Sequence, residues 1–342
     1  MKFGSVMLDE AAGKILAHKM LMPDGSGLFN KGRLLSTDDV ETLRSLNIES
    51  VIVGALAATD LHENEAARRV GIAIAGESVK VTAPGVGRAN LTALAMGPLR
   101  INVPVLDRLN NIDEGITIAT LREHTLVHRG QLLTLVKIIP YGVPIARVED
   151  IEAIAKEAGG IIRVRELQSC SVALVISGPE SARESLMEDF SVPVRTRIEQ
   201  LGSQLNTIDY VPHTASAIAH AIYTHQTAHD LILLAGISAT IDHEDVIPSA
   251  LREAGGSVAH FGVPVDPGSL LMLGYLGKTP VIGAPGCIKS LKTNVIDMIL
   301  PRLLSGERLT RADLVAMGHG GLLEDISERP MPRHLPRQEG VD

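Results

Sequence analysis

The hydrophobic rhythm of the chain changes at Ser171. From there, short runs of consecutive apolar residues alternate with segments whose apolar positions fall three and four apart. SVALVIS at 171–177 is followed by a helical spacing through Val194, Ile198 and Leu201, then a strand-like piece ending at Val211. A helix from Thr214 to Thr224 and the run LILLAG at 231–236 complete the pattern. An unbroken apolar run has no polar face to turn to water, so it reads as a strand covered on both sides, as in parallel sheets. Parallel neighbours need a crossover, which the helical segments supply. The pattern predicts an α/β domain over 171–305 built on a mostly parallel sheet.

Upstream the signals are shorter. From residue 8 the chain reads as a helix-like segment, broken by the Gly-rich turn Asp24 to Gly27. Ser36 or Thr37 then caps a helix carrying Val40, Leu43 and Leu46, and the β-branched stretch Ile48 to Val53 follows. This predicts a small helix and strand module over 1–58. Residues 59–78, rich in Ala, Glu and Arg, predict an amphipathic helix. It leads into a β-forming region from Val79 to Pro144, where TLVHRGQLLTLVKIIP turns at Gly130. A β-rich domain, a small sheet or barrel, is expected over 59–150. Ile151, Ile154 and Ala155 before Gly159-Gly160 predict a helix in a connecting segment over 151–170. A helical extension is expected over 306–328. The stretch 329–342, with Pro330, Pro332 and Pro336 among charges, lacks the apolar content to pack and is expected to be disordered.

Composition narrows the class. At 342 residues the chain has room for two or three domains of roughly 100–200 residues each. Aromatic residues make up only 2% of the sequence against 45% hydrophobic overall, so the cores must be aliphatic, which favours α/β layering over an aromatic-rich sandwich. A net charge of −8 opposes a broad phosphate-binding surface, and no nucleic-acid partner is expected. Cys170 and Cys287 match no disulfide or zinc spacing, which fits a reducing cytoplasm. Acidic residues interrupt the opening segment, and no run reaches about 18 apolar residues, so no membrane association is expected.

Candidate chemistry sits in the loops of the α/β region. LILLAGISATIDHEDVIPSAL at 231–251 is a strand, a loop of small residues, two acids and a helix start. Small residues after a parallel strand let amides approach an anion, and ligands of such sheets bind at the carboxyl ends of strands. Asp242 and Asp245 are candidate magnesium ligands, magnesium being a hard ion that prefers carboxylates and retained water; each equally suits a capping role. FGVPVDPGSLLMLG at 261–274 and TPVIGAPGCIKSLKTN at 279–294 repeat the logic with Pro267-Gly268 and Pro285-Gly286. Lys289, Ser290 and Lys292 are candidate phosphate contacts or solvated surface groups. Ser177-Gly178 ends the first strand of the domain as a cleft wall or a plain turn. His225 and His229, four apart near His220, suit surface histidines better than a metal pair.

The ordered series AGIS, DVIP, AGG, VPVDPG, LG and GAPG resembles the molybdopterin-binding domain of molybdopterin adenylyltransferases, molybdopterin molybdotransferases and gephyrin. The resemblance implies a three-layer α/β/α fold. It also implies a pterin and phosphate site including Gly236, Ser238, Gly268, Ser269, Pro285 and Gly286, with Asp245 serving magnesium and nucleotide chemistry. LDEAAGKILAH, KGRLLSTDDVETL and the segment from GITIATL to VKIIPYGVP resemble the amino-terminal half of bacterial proteins that fuse such a domain to a nucleotidyltransferase-like domain. Four positions depart from the family pattern: Ala235 replaces the first Gly of a Gly-Gly pair, His213 stands where the adenylyltransferases carry an Asp, and Asp266 with Ser269 stand where molybdotransferases carry lysines.

The expected function is binding of molybdopterin, or of a nucleotide form of the molybdenum cofactor, by a carrier or accessory protein in cofactor biosynthesis. Its expected partners are the pterin and a separate nucleotidyltransferase, and the relatives imply a dimer or trimer. Two alternatives stand beside it: a magnesium-dependent adenylyl-, cytidylyl- or molybdotransferase using Asp242 and Asp245, and an α/β scaffold that binds no pterin.

Overall fold

The computed structural model describes residues 1–266 and 268–323. The predicted tail over 329–342 and the site candidate Pro267 lie outside the described residues. The chain forms two compact units, Met1–Glu166 and Leu167–Asp342.

The amino-terminal unit has two aliphatic cores. In the first, strands Lys2–Met7 and Ile15–Leu16 pair antiparallel with Ser50–Ala55. Leu8, Ala11, Leu16, Leu35, Val40, Leu43, Val51 and Val53 fill it. Helix Thr37–Ser45 starts at Ser36, whose hydroxyl accepts from the Asp39 amide while the Asp39 carboxylate accepts from the Ser36 amide. The helix-like spacing from residue 8 does not become a helix. Leu8–Glu10 make one 3-10 turn, Gly13 enters the left-handed region at φ 76°, and Ile15–Leu16 are taken up as a strand. Sheet pairing outcompetes so short a helical segment, as a nucleus of one or two turns is unfavourable by itself.

The second core lies between helix Glu63–Ile74, helix Ile145–Glu157 and antiparallel strands. Four strands run in the order Ile116–Thr120, Leu132–Ile138, Arg88–Ala93, Val79–Gly85, and a three-stranded sheet centres on Gly97–Ile101. Gly71 lets the first helix lie close on this sheet, because a Cβ there would stand 2.8 Å from the Ala89 methyl. Helix Ile145–Glu157 ends before Gly159 and Gly160, both at positive φ.

The carboxy-terminal unit is an α/β domain on a mostly parallel sheet, as the apolar runs predict, in the three layers that the resemblance implies. Its strands are β1 (Ser171–Ser177), β2 (Gln204–Val211), β3 (Leu231–Gly236), β4 (Ser257–Val263), β5 (Ser269–Leu276) and β6 (Thr279–Gly283). Helix α1 (Arg183–Gln200) joins β1 to β2, α2 (Ala215–His225) joins β2 to β3, and α3 (Val246–Glu253) leads to β4; α4 (Val295–Leu304) and the short α5 (Arg311–Ala316) follow β6. The sheet order is β2-β1-β3-β6-β5-β4, with β5 antiparallel to both neighbours and the remaining contacts parallel.

The chain leaves β1 toward β2 on one side and returns to β3 on the other. Right-handed crossovers in opposite directions must lie on opposite faces, so α1 and α2 sandwich the sheet. Ala173, Val175, Ile232 and Leu234 pack with α2 and α3 through Ile218, Ile222, Ile247 and Leu251. Side chains alternate along a strand, which leaves Leu174, Ile176 and Leu233 for the α1 face. All are fully buried. Reversal of strand order between β1 and β3 opens a crevice at their carboxyl ends, where ligands of such sheets bind.

Candidate functional site

The carboxyl edge of the sheet and its loops hold Ser177, Gly178, Gly236, Ser238, Asp242, Asp245, Gly268, Ser269, Pro285, Gly286, Lys289 and Ser290. Ser177, Val211 and Gly236 are in register across β2, β1 and β3, so the loops at 178, 212 and 237 leave the crevice side by side. Because β5 runs the other way, the turn before Ser269 lies on this same edge, as does the 284–294 loop after β6.

Three strand ends meet at the crevice. The Ser177 hydroxyl, only 1% exposed, lies 2.9 Å from His213 Nδ1 and donates to the Ala235 carbonyl at 3.2 Å. Gly236 makes the approach feasible, since a Cβ there would stand 2.5 Å from Ser177 Oγ and 3.4 Å from His213 Nδ1. Gly178 is equally constrained, with Tyr210 Oη 2.7 Å and a Leu186 methyl 2.6 Å from where its Cβ would be. Ser177, Gly178 and Gly236 are thus brought together, and His213, which the sequence marks only as a departure, joins them.

Asp242 and Asp245 shape their own loop. Asp245 is the N-cap of α3: Oδ1 accepts from Val246 N at 2.7 Å and Oδ2 from Ile241 N at 3.0 Å. Asp242 Oδ1 accepts from Glu244 N at 2.8 Å. Each Asp245 oxygen accepts one amide bond and keeps a second lone pair, and no group of three or more His, Cys, Asp or Glu side chains gathers for a metal among the described residues. Ser238 is exposed and donates to the Ala239 carbonyl.

The other two loops enclose a pocket of about 290 Å³, lined by Asp266, Ser269, Leu270, Pro285, Gly286 and Cys287 with Asn294 at its base. Ser269, Pro285 and Gly286 therefore share one wall system, and Gly268 precedes it at φ 76°. The Ser269 hydroxyl is buried with no hydrogen-bond partner among the described residues. Such a group costs about 1–3 kcal/mol if left unsatisfied, which makes it a ready contact for a polar ligand atom. Cys287 is open to solvent as a residue, yet partial burial of its thiol pushes its pKa up, so it is a neutral thiol rather than a thiolate. Lys289 is drawn aside, with Nζ 2.8 Å from Asp189 and over the Phe190 ring. Ser290 accepts from the Lys292 amide.

Two residues that hold the 284–294 loop escaped the sequence reading. Arg197 is 4% exposed and donates to Asp297 at 2.9 Å, to the Ile288 carbonyl at 3.0 Å, and to the Ser290 and Lys292 carbonyls. Its signal was its place on the apolar stripe of α1 between Val194 and Ile198. Asn294 caps α4 and donates to the Cys287 and Lys292 carbonyls. Its signal was Asp297, three residues on, which completes a capping box. His225 and His229 lie away from the crevice. Their rings meet edge to face at 5.4 Å, His225 bonding Asp209 and His229 bonding Thr207.

The edge is also apolar where loops are usually polar. Ile237 and Ile241 after β3, Leu270 at the start of β5 and Leu291 after β6 are exposed by 51, 73, 38 and 60%.

Residues 173–305 match the family described as "Probable molybdopterin binding domain", and the carboxy-terminal unit carries a domain of that family. Residues 5–55 match a "Domain of unknown function (DUF8806)". Among solved structures, the chain is similar to a molybdenum cofactor biosynthesis protein from Pyrococcus furiosus at 12% identity, covering 92% of this chain and 65% of that one with a TM-score of 0.26. It is similar to the molybdopterin biosynthesis moea protein from Pyrococcus horikosii at 12% identity, covering 89% and 75% with a TM-score of 0.30. Molybdenum cofactor biosynthesis protein B matches at 11% identity over 40% of this chain and 94% of its own length, with a TM-score of 0.29. The chain spans 65% of the first of these structures. No curated protein sequence matches it. No helix among the described residues is long and apolar enough to cross a membrane.

Proposed function

We propose that this protein binds molybdopterin, or a nucleotide form of the molybdenum cofactor, at the carboxyl edge of its α/β sheet and serves cofactor biosynthesis as a carrier or accessory. The observation that carries the reading is the convergence of Ser177, His213 and Gly236 at the switch-point crevice of a domain of the molybdopterin-binding family. Ile237, Ile241 and Leu270 offer a flat heterocycle apolar cover, and the Ser269 hydroxyl offers it a polar contact. Binding is favoured over transfer chemistry because His213, Asp266 and Ser269 stand where the resembled adenylyltransferases and molybdotransferases carry an Asp and lysines. The cytoplasm, an oligomer and a separate nucleotidyltransferase partner complete the proposal.

Incubation of the pure protein with molybdopterin, magnesium and ATP, CTP or molybdate tests it. Saturable pterin binding without an adenylylated, cytidylylated or molybdenum-loaded product is the expected result. Formation of any of these products would make the protein a transferase acting through Asp242 and Asp245. Absence of pterin binding would leave the scaffold reading.

A further inference from the structure

The geometry points to His213 as the residue that meets the ligand's phosphate, with Ser177 as the positioning residue that holds its ring; this rests on the pterin-binding reading above. The argument begins with one proton. A serine hydroxyl has a single hydrogen to donate. Ser177 Oγ has two polar neighbours, the Ala235 carbonyl, which can only accept, and His213 Nδ1. With the hydroxyl proton on Ala235, Oγ accepts from His213, so the imidazole proton resides on Nδ1. Nε2, on the far side of the ring, makes no hydrogen bond among the described residues. The same arrangement admits the imidazolium without rotating the ring, because Nδ1–H still points at Ser177 and Nε2 gains a second N–H. A phosphate monoester, a near-dianion at neutral pH, is the ligand chemistry that favours that state.

Most charged side chains on the loops around the crevice are engaged elsewhere, with Lys292 on the loop after β6 the exception among those named. In the turn after β1, Arg183 lies against Glu180 at 3.2 Å and over the Tyr210 ring. On the same strand as Val211, Asp209 is taken by His225. After β3, Asp242 and Asp245 are bonded to amides of their own loop, and after β6 Lys289 is paired with Asp189. No ion pair among the described residues involves His213. The residue also immediately precedes Thr214, the N-cap of α2, so the positive end of an 11-residue helix begins beside it. That end favours a bound anion. With Nδ1 held by Ser177, Nε2 is the ring atom left to meet the phosphate.

The test uses the full-length protein with its histidines labelled with ¹⁵N. The expected free state at pH 8 shows His213 protonated on Nδ1 and bare on Nε2; in Ser177→Ala this tautomer is no longer enforced and the signal moves toward the ordinary Nε2–H form. Addition of molybdopterin moves the His213 Nε2 resonance, and the affinity is higher at pH 6 than at pH 8. His213→Ala weakens binding at pH 6 by about 10- to 100-fold, the range for a charge-assisted hydrogen bond, and flattens the pH profile. His213→Gln keeps an uncharged donor and restores part of the affinity without the pH dependence. Inorganic phosphate competes with molybdopterin on the wild type and not on His213→Ala. An Nε2–H tautomer in the free protein, or a His213 Nε2 resonance unmoved by saturating molybdopterin, overturns the assignment while leaving pterin binding intact. Failure of molybdopterin to bind the wild type overturns both.

Discussion

Arg197 and Asp297 are joined across a hundred residues of sequence by a 2.9 Å ion pair that fastens helix α1 to the cap of helix α4. The guanidinium also bonds the Ile288, Ser290 and Lys292 carbonyls, so one buried side chain sets the course of the loop that walls the 290 Å³ pocket. Breaking a buried, hydrogen-bonded charge leaves several acceptors uncompensated. Arg197→Met is expected to destabilise the carboxy-terminal unit by about 3 kcal/mol and to speed amide exchange across 286–294. Unchanged exchange in that segment, measured by mass spectrometry, would show that the loop holds itself.

Gly236 has little room to change. A methyl group there would stand 2.5 Å from the Ser177 hydroxyl and 2.8 Å from the Ser177 carbonyl, which is backbone. Gly236→Ala should cost about 1–3 kcal/mol of stability and displace His213. The check is thermal unfolding together with the His213 ring resonances; a variant with wild-type melting and wild-type resonances would contradict the close packing of the three strand ends.

Asp39 in the amino-terminal unit gives a pH dependence. The hydrogen bond from Arg33 first, and the Ser36 amide and hydroxyl after it, hold its carboxyl at about 2, below its ordinary value of 3.8. A carboxylate depressed in the folded state stabilises above its unfolded value and loses that contribution as pH falls through the folded one. The helix Thr37–Ser45 should therefore weaken between about pH 4 and pH 2. Arg33 is half exposed, so screening reduces the effect to about 1 kcal/mol. Amide exchange of that helix at pH 2.5 and pH 5 reads it, and Asp39→Asn should abolish the difference.

Asp245 separates loop shaping from metal chemistry. As the N-cap of α3, it should cost about 1 kcal/mol when replaced by Ala. Asn keeps an acceptor for the Val246 amide, so Asp245→Asn should bind molybdopterin nearly as the wild type does, with or without a chelator. Binding that collapses on chelation, and equally in Asp245→Asn, would assign the residue to magnesium instead.

How much of this was legible beforehand depended on whether local pattern or tertiary company decided the outcome. The apolar runs at 171–177 and 231–236 were readable as buried parallel strands because a strand covered on both faces has a distinctive composition. Ser36 was readable because its cap is made within one helical turn. The segment from residue 8 was not, since its spacing suits a short helix and only the partner strand Ser50–Ala55 decides otherwise. In the site, Ser177, Gly178, Gly236, Ser269, Pro285 and Gly286 could be proposed as loop residues after strands. The pairing of Ser177 with His213 could not, because it depends on β1 and β2 being neighbours in register. Arg197 carried a usable signal, a lone cation on an apolar helical stripe, but its partners lie about a hundred residues away.

Calorimetric titration of molybdopterin into the full-length protein tests the central claim most directly. Saturable binding is expected, accompanied by a rise in melting temperature and weakened by His213→Ala. Absence of heat and of any thermal shift, with the protein shown to be folded, would contradict it.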